Sequence, residues 1–126
     1  MARILIIDDD PTMRSLVGGI VEAMGHTVVE ARDGRAGVEI FSKEKIDLVV
    51  TDIVMPEQEG IETIGAIRRL NRTLPILAIS GSATIGGAGD YLRAAAALGA
   101  SATLQKPFSA DLIIDAIDRL LVRPKP

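Results

Sequence analysis

Three carboxylates stand side by side in "ILIIDDD", residues 4 to 10, directly after an aliphatic run that asks to be buried. A fourth, Asp52, ends the aliphatic run "LVVTD", a hydroxyl, Ser80, ends "ILAIS", and a lysine, Lys106, follows "ATLQ". Carboxylates with no histidine or cysteine beside them are hard oxygen donors. They suit Mg²⁺ or Mn²⁺, and Mg²⁺ commonly keeps waters while using one or two carboxylates. Two carboxylates ~4 Å apart repel by about 4 kcal/mol at an effective dielectric of 20, a large share of the roughly 5–15 kcal/mol that stabilises a domain. Such a cluster needs protonation, a cation such as Lys106, or a divalent metal to relieve it.

Taken singly, each residue has a plainer role. Asp10 followed by Pro11 has the pattern of a helix N-cap with proline at the first helical position. Asp52 could be a solvated strand end, Ser80 a cap or loop hydroxyl, and Lys106 a surface lysine. Asp8 and Asp9 have no comparable local role, and only the joint placement of the set points to a site. His26, the one histidine, lies in "MGHT" and reads as an exposed turn residue.

Five short apolar runs carry these residues: 3–7 "RILII", 27–31 "TVVEA", 47–51 "DLVVT", 75–80 "PILAIS" and 102–105 "ATLQ". Each is strand-length and rich in Val, Ile, Leu or Thr. Between them the apolar period lengthens to about 3.6 residues, as in a helix. Met13, Leu16, Val17, Ile20, Val21 and Met24 form one stripe, and Leu112, Ile113, Ala116, Ile117, Leu120 and Leu121 form another. Further helices are predicted over about 34–44 (Ala36, Ile40, Phe41), 60–71 (Ile61, Ile64, Ile67, Leu70) and 88–98. Gly25 and Gly99 fall at helix C-cap positions.

A (βα)5 alternation implies a doubly wound α/β fold, a five-stranded parallel sheet with helices on both faces, because parallel strands need right-handed crossovers. Ligands of such sheets bind beyond the carboxyl ends of the strands. Asp8, Asp9, Asp52, Ser80 and Lys106 all belong to that edge.

Composition narrows the function class. The chain has 126 residues, 48% of them hydrophobic, with one Tyr, two Phe and no Trp, so the core must be aliphatic. No cysteine is present, which excludes a disulfide framework or thiolate metal site and fits a cytoplasmic protein. No apolar window is long enough to cross a membrane. The net charge of −3, with no basic cluster accompanied by aromatics, gives no basis for direct nucleic-acid binding. No linker or second domain is evident, so residues 1–126 are expected to be one domain with no output domain within the chain.

With these residues in view, the chain resembles the response-regulator receiver domains, and is similar to the single-domain chemotaxis regulators. The resemblance runs end to end and rests on "LIIDDDPTMR", "LVVTDIVMPEQEG", "ILAISG" and "KPF" in combination. It implies the CheY-like, flavodoxin-like strand order 2-1-3-4-5. It further implies that Asp52 accepts a phosphoryl group from a phosphohistidine. Asp9, Asp52 and the main-chain carbonyl of Val54 would ligate Mg²⁺, with Asp8 acting largely through water. Lys106 would hold one phosphoryl oxygen, and Ser80 would hydrogen-bond another. The domain would catalyse only its own phosphorylation and dephosphorylation, without being an enzyme in the wider sense. Its partners would be a histidine kinase or histidine phosphotransferase and a downstream protein target, read through the fourth strand, fourth helix, fifth strand and fifth helix. The unphosphorylated form is expected to be a monomer.

Two features depart from the family pattern. Thr103 stands where an aromatic is common, three residues before the lysine, so no ring there can report phosphorylation. The stretch between Ser80 and Lys106 is long and glycine-rich; "GGAG", a loop without the lysine and hydroxyl of a nucleotide-binding P-loop, together with Tyr91 would replace that switch. Val54 and Ser82 would flank the path of hydrolytic water. Two alternatives stand beside this reading. Asp8, Asp10 and Thr12 match the D-x-D-x-T motif of haloacid-dehalogenase-type phosphatases, and a degenerate receiver could serve as a docking module alone.

Overall fold

The structure is a computed structural model that describes residues 1–53, 59–80, 96, 99–105 and 108–121. Five strands form one parallel sheet: β1 (Arg3–Ile7), β2 (Thr27–Ala31), β3 (Leu48–Asp52), β4 (Ile76–Ser80) and β5 (Ala102–Gln105). Their order is β2-β1-β3-β4-β5, as expected. Among the described residues four helices flank them: α1 (Pro11–Ala23), α2 (Gly34–Lys43), α3 (Glu59–Leu70) and α4 (Ala110–Leu121). The helix predicted over 88–98 falls almost wholly outside the described residues.

Strand periodicity divides the core. Ile4 and Ile6 of β1 pack with Val17 and Val21 of α1 and with Ile113 and Ile117 of α4. Leu5 and Ile7, pointing the other way, join Ile64 and Ile67 of α3, with Ala36 and Phe41 of α2 packed against them. Alternate residues of one strand thus serve opposite layers. β3, between β1 and β4, is buried along its whole length.

The apolar stripes are narrower than their spacing implies. Leu16, Leu70 and Leu112 were expected in them, yet each is more than half or about half exposed, at 54%, 55% and 50%. They lie at stripe margins, where the helix surface curves away from a flat sheet.

Local signals set the helix ends. Asp10 caps α1 from extended backbone, with Pro11 at the start, and Asp33 caps α2 by accepting from Ala36 N–H at 2.8 Å. Gly25, just past the α1 C-cap Met24, has φ +92°, a left-handed conformation that glycine adopts without a Cβ penalty. α2 approaches β1 so closely that a Cβ on Gly37 would sit 2.7 Å from Ile7 Cγ1.

At the amino end of the sheet, Arg68 of α3 ties distant segments together. Its Nε donates to Gly99 O at 2.8 Å, Nη1 to Asn71 O at 3.2 Å and Nη2 to Ser101 Oγ at 3.2 Å. Ser101 Oγ also accepts from Ile76 N–H at 3.0 Å, while Ser101 N–H donates to Ile76 O at 2.8 Å. His26 is likewise structural: it is partly buried rather than exposed, and its Nδ1 accepts from Ala2 N–H at 3.1 Å.

Candidate divalent-cation and phosphoacceptor site

The register brings the separated acids together. Ile7 pairs with Thr51, and Asp52 with Ile79, so β1, β3 and β4 end side by side. One carboxylate oxygen from each of Asp8, Asp9 and Asp52 can lie within 4.8 Å of the others. Asp8 and Asp52 are buried, at 5% and 6% exposure, whereas Asp9 is exposed. Ser80, next along β4 from the Asp52 partner Ile79, is fully buried and pairs with Gln105.

The main chain at the end of β1 is firmly held. Asp8 N–H donates to Ala31 O at 3.1 Å, and Asp8 Oδ1 accepts from Asp10 N–H at 2.9 Å. Asp10 Oδ1 in turn accepts from Thr12 N–H at 2.9 Å, the N-cap bond. The run of three acids is therefore two structures: Asp8 and Asp9 belong to the cluster with Asp52, and Asp10 starts α1. On β3, Thr51 Oγ1 donates to the Asp52 carbonyl at 3.2 Å. Among the described residues, no buried side-chain nitrogen or oxygen lacks a hydrogen-bond partner.

Two residues absent from the sequence-based set attend the same turn. Arg14, one turn into α1, donates from Nη1 to Asp8 O at 2.8 Å and from Nε to Glu30 Oε1 at 2.9 Å. The pattern "DPTMR" places an arginine four residues after the cap, but its partner Glu30 is 16 residues away and becomes a neighbour only through β1–β2 pairing.

The donor set fits a hard divalent cation. Three carboxylates converge without nitrogen or sulfur ligands, two of them removed from water, and at such separations each pair repels by about 3–4 kcal/mol at an effective dielectric of 20. A divalent ion offsets that repulsion. The residues expected beside this cluster at Val54 and Lys106, like Tyr91, Ser82 and "GGAG", lie outside the described residues. Thr103 is described, on β5 opposite Ala78.

Comparison with known proteins agrees with this arrangement. The model of the "Response regulator receiver domain" family matches residues 4–118. The chemotaxis protein CheY of Bacillus subtilis is 35% identical over 120 residues, which span 94% of this chain and 97% of that protein. The transcriptional regulatory protein GlrR of Escherichia coli is 31% identical over 125 residues, and there the match takes in 99% of this chain but only 27% of the longer protein. Among solved structures, a response regulator receiver domain protein from Clostridium thermocellum superposes with a TM-score of 0.87 at 28% identity, covering 96% of this chain and 94% of that one. The D-x-D-x-T phosphatase reading is not favoured, since Asp10 serves as a helix cap outside the acid cluster. The sheet order, the acid cluster and the sequence match converge: this chain belongs to the family of response regulator receiver domains.

Proposed function

We propose that the protein is a phosphoacceptor of a two-component relay, taking a phosphoryl group from a phosphohistidine onto Asp52 in a magnesium-dependent reaction. The observation that carries this reading is the convergence of the Asp8, Asp9 and Asp52 carboxylates within 4.8 Å at the carboxyl edge of the sheet. Family membership supports it independently.

In the proposed transfer, an Asp52 carboxylate oxygen attacks phosphorus, an O–P bond forms, and the N–P bond to the donor imidazole breaks. The electron pair of that bond stays with the imidazole. Asp8, Asp9 and Asp52, with the Val54 carbonyl, would hold Mg²⁺, which when bound supplies positive charge to offset that of the phosphoryl oxygens. Burial of Asp52 limits its hydration and holds the nucleophile in one orientation. Ser80 would donate its hydroxyl to a phosphoryl oxygen, and Lys106 would neutralise another. Such transfer depends chiefly on positioning and charge neutralisation.

The product acyl phosphate adds charge and acceptor oxygens beside Ser80, which gives a physical basis for a switch. A histidine kinase or histidine phosphotransferase would be the donor and a protein the downstream target. The domain would act on itself alone, in the cytoplasm, consistent with a chain without cysteine. Among the described residues no helix is long and apolar enough to cross a membrane.

The test is treatment with a small acyl phosphate and Mg²⁺, followed by mass-spectrometric mapping. Stoichiometric label on Asp52, lost in Asp52→Asn, is expected. Repeated turnover of an aryl phosphate that survives Asp52→Asn but not Asp8→Asn would overturn the reading in favour of a phosphatase. Absence of any label would leave a docking module.

A further inference from the structure

Asp8 is gripped at three points from two elements, β2 and α1 with its cap. Its N–H donates to β2 at Ala31 O (3.1 Å), its Oδ1 accepts from Asp10 N–H at the cap of α1 (2.9 Å), and its carbonyl accepts from Arg14 Nη1 (2.8 Å). The same guanidinium reaches back to β2 through Nε, 2.9 Å from Glu30 Oε1. Two donors of one planar group thus bridge the end of β1 to a side chain on β2. Because the fork is rigid, fixing one bond fixes the direction of the other. With a side chain only 20% exposed, Arg14 is a part of the fold rather than a freely solvated charge.

Its charge has the wrong sign for the site it adjoins. A guanidinium close to an acid cluster repels a divalent cation, so by charge alone Arg14 weakens metal binding. Its donors, however, go to a main-chain carbonyl and to Glu30, which stands outside the cluster of Asp8, Asp9 and Asp52. Holding the turn that carries two of the three carboxylates acts in the opposite direction, since residues that orient metal ligands commonly govern affinity.

We propose that Arg14, steered by Glu30, is a positioning residue for the divalent-cation site, fixing the β1–α1 turn so that the Asp8 and Asp9 carboxylates meet Asp52. The inference rests on the magnesium reading above. Geometry and charge predict opposite signs for the same substitution. The experiment is calorimetric titration of Mg²⁺ into the wild-type chain, Arg14→Lys and Arg14→Met, with circular-dichroism melting to establish folding. Lysine keeps the charge but loses the fork; methionine loses both. Both variants are expected to bind Mg²⁺ about tenfold more weakly. Lysine binding like wild type, or methionine binding more tightly than wild type, would overturn the proposal. Should Arg14→Met fail to fold, the lysine comparison decides alone. If the wild-type chain itself takes up no Mg²⁺, the magnesium reading fails and this inference with it, whereas normal wild-type binding with unaltered variants removes only the role of Arg14.

Discussion

The backbone N–H of Thr12 donates to Asp10 Oδ1 at 2.9 Å, so the third acid of the opening run is spent on starting a helix. Asp10→Ala should lose about 1 kcal/mol of stability, the usual cost of an N-cap. Label on Asp52 from an acyl phosphate should persist, because Asp10 holds Asp8 through its main-chain N–H. Urea unfolding and mass spectrometry on the same variant check both halves. Asp10→Ser should restore most of the stability.

Asp9 is the exposed member of a three-carboxylate cluster. Without magnesium, Asp9→Ala removes a repulsion, and its melting temperature should exceed that of the wild type. Added Mg²⁺ should stabilise the wild type by about 2.7 kcal/mol at a hundredfold excess over its dissociation constant, and should do little for the variant. Differential scanning calorimetry with and without Mg²⁺ reads the crossover. An equal response in both proteins would remove Asp9 from the ligand set.

Two glycines on helices should respond oppositely to alanine. A Cβ at Gly19, exposed on α1, meets nothing within 4 Å, so Gly19→Ala should stabilise by roughly 0.5–1 kcal/mol through helix propensity. A Cβ at Gly37 would meet Ile7 Cγ1 at 2.7 Å, and overpacking of that kind costs about 1–3 kcal/mol. Gly37→Ala should therefore destabilise, and less so in an Ile7→Val background. Chemical denaturation of the wild type and the four variants, with a double-mutant cycle for positions 7 and 37, tests this.

Arginine substitutions should separate by environment. Arg119 pairs with Asp115 at 3.0 Å across one exposed helical turn, an arrangement worth about 0.3–0.5 kcal/mol. Arg68 is partly buried and bonds to Gly99, Asn71 and Ser101. Arg68→Met should cost about 3 kcal/mol, since each of its three bonds contributes about 1 kcal/mol. Arg119→Met should fall within 0.5 kcal/mol of wild type by the same denaturation assay.

Much of this architecture is legible in the amino-acid sequence. β1, β2 and β5 match their predicted limits, β3 is shifted one residue later at both ends, and β4 begins one residue later than expected. At β3 the reason is local: Asp47 N–H still donates to Arg3 O at 2.8 Å, but Arg3 N–H goes to the Asp47 side chain, also at 2.8 Å, and not to a main-chain carbonyl. At β4, Pro75 has no N–H to give the ladder. The acid cluster was legible because strand ends of a parallel sheet share one edge. The brace of Arg14 and Glu30 was not, because neither residue stands out until the pairing of Ile6 with Glu30 is known. Leu16, Leu70 and Leu112 were misplaced because periodicity gives the direction of a stripe and not its width.

Arg68 and Ser101 have a mechanical consequence. Ile76 and Ser101 exchange hydrogen bonds in both directions, and the guanidinium of α3 clamps that exchange from outside. β4 and β5 therefore share a fixed root at the amino edge of the sheet, while Ser80 and Gln105 sit together at the opposite tips. Ile53 N–H also donates to Ile79 O at 2.9 Å, so the tip that carries Ser80 is tied to β3 as well as to β5, and any change of contacts at Ser80 is shared directly with the strand that carries Asp52.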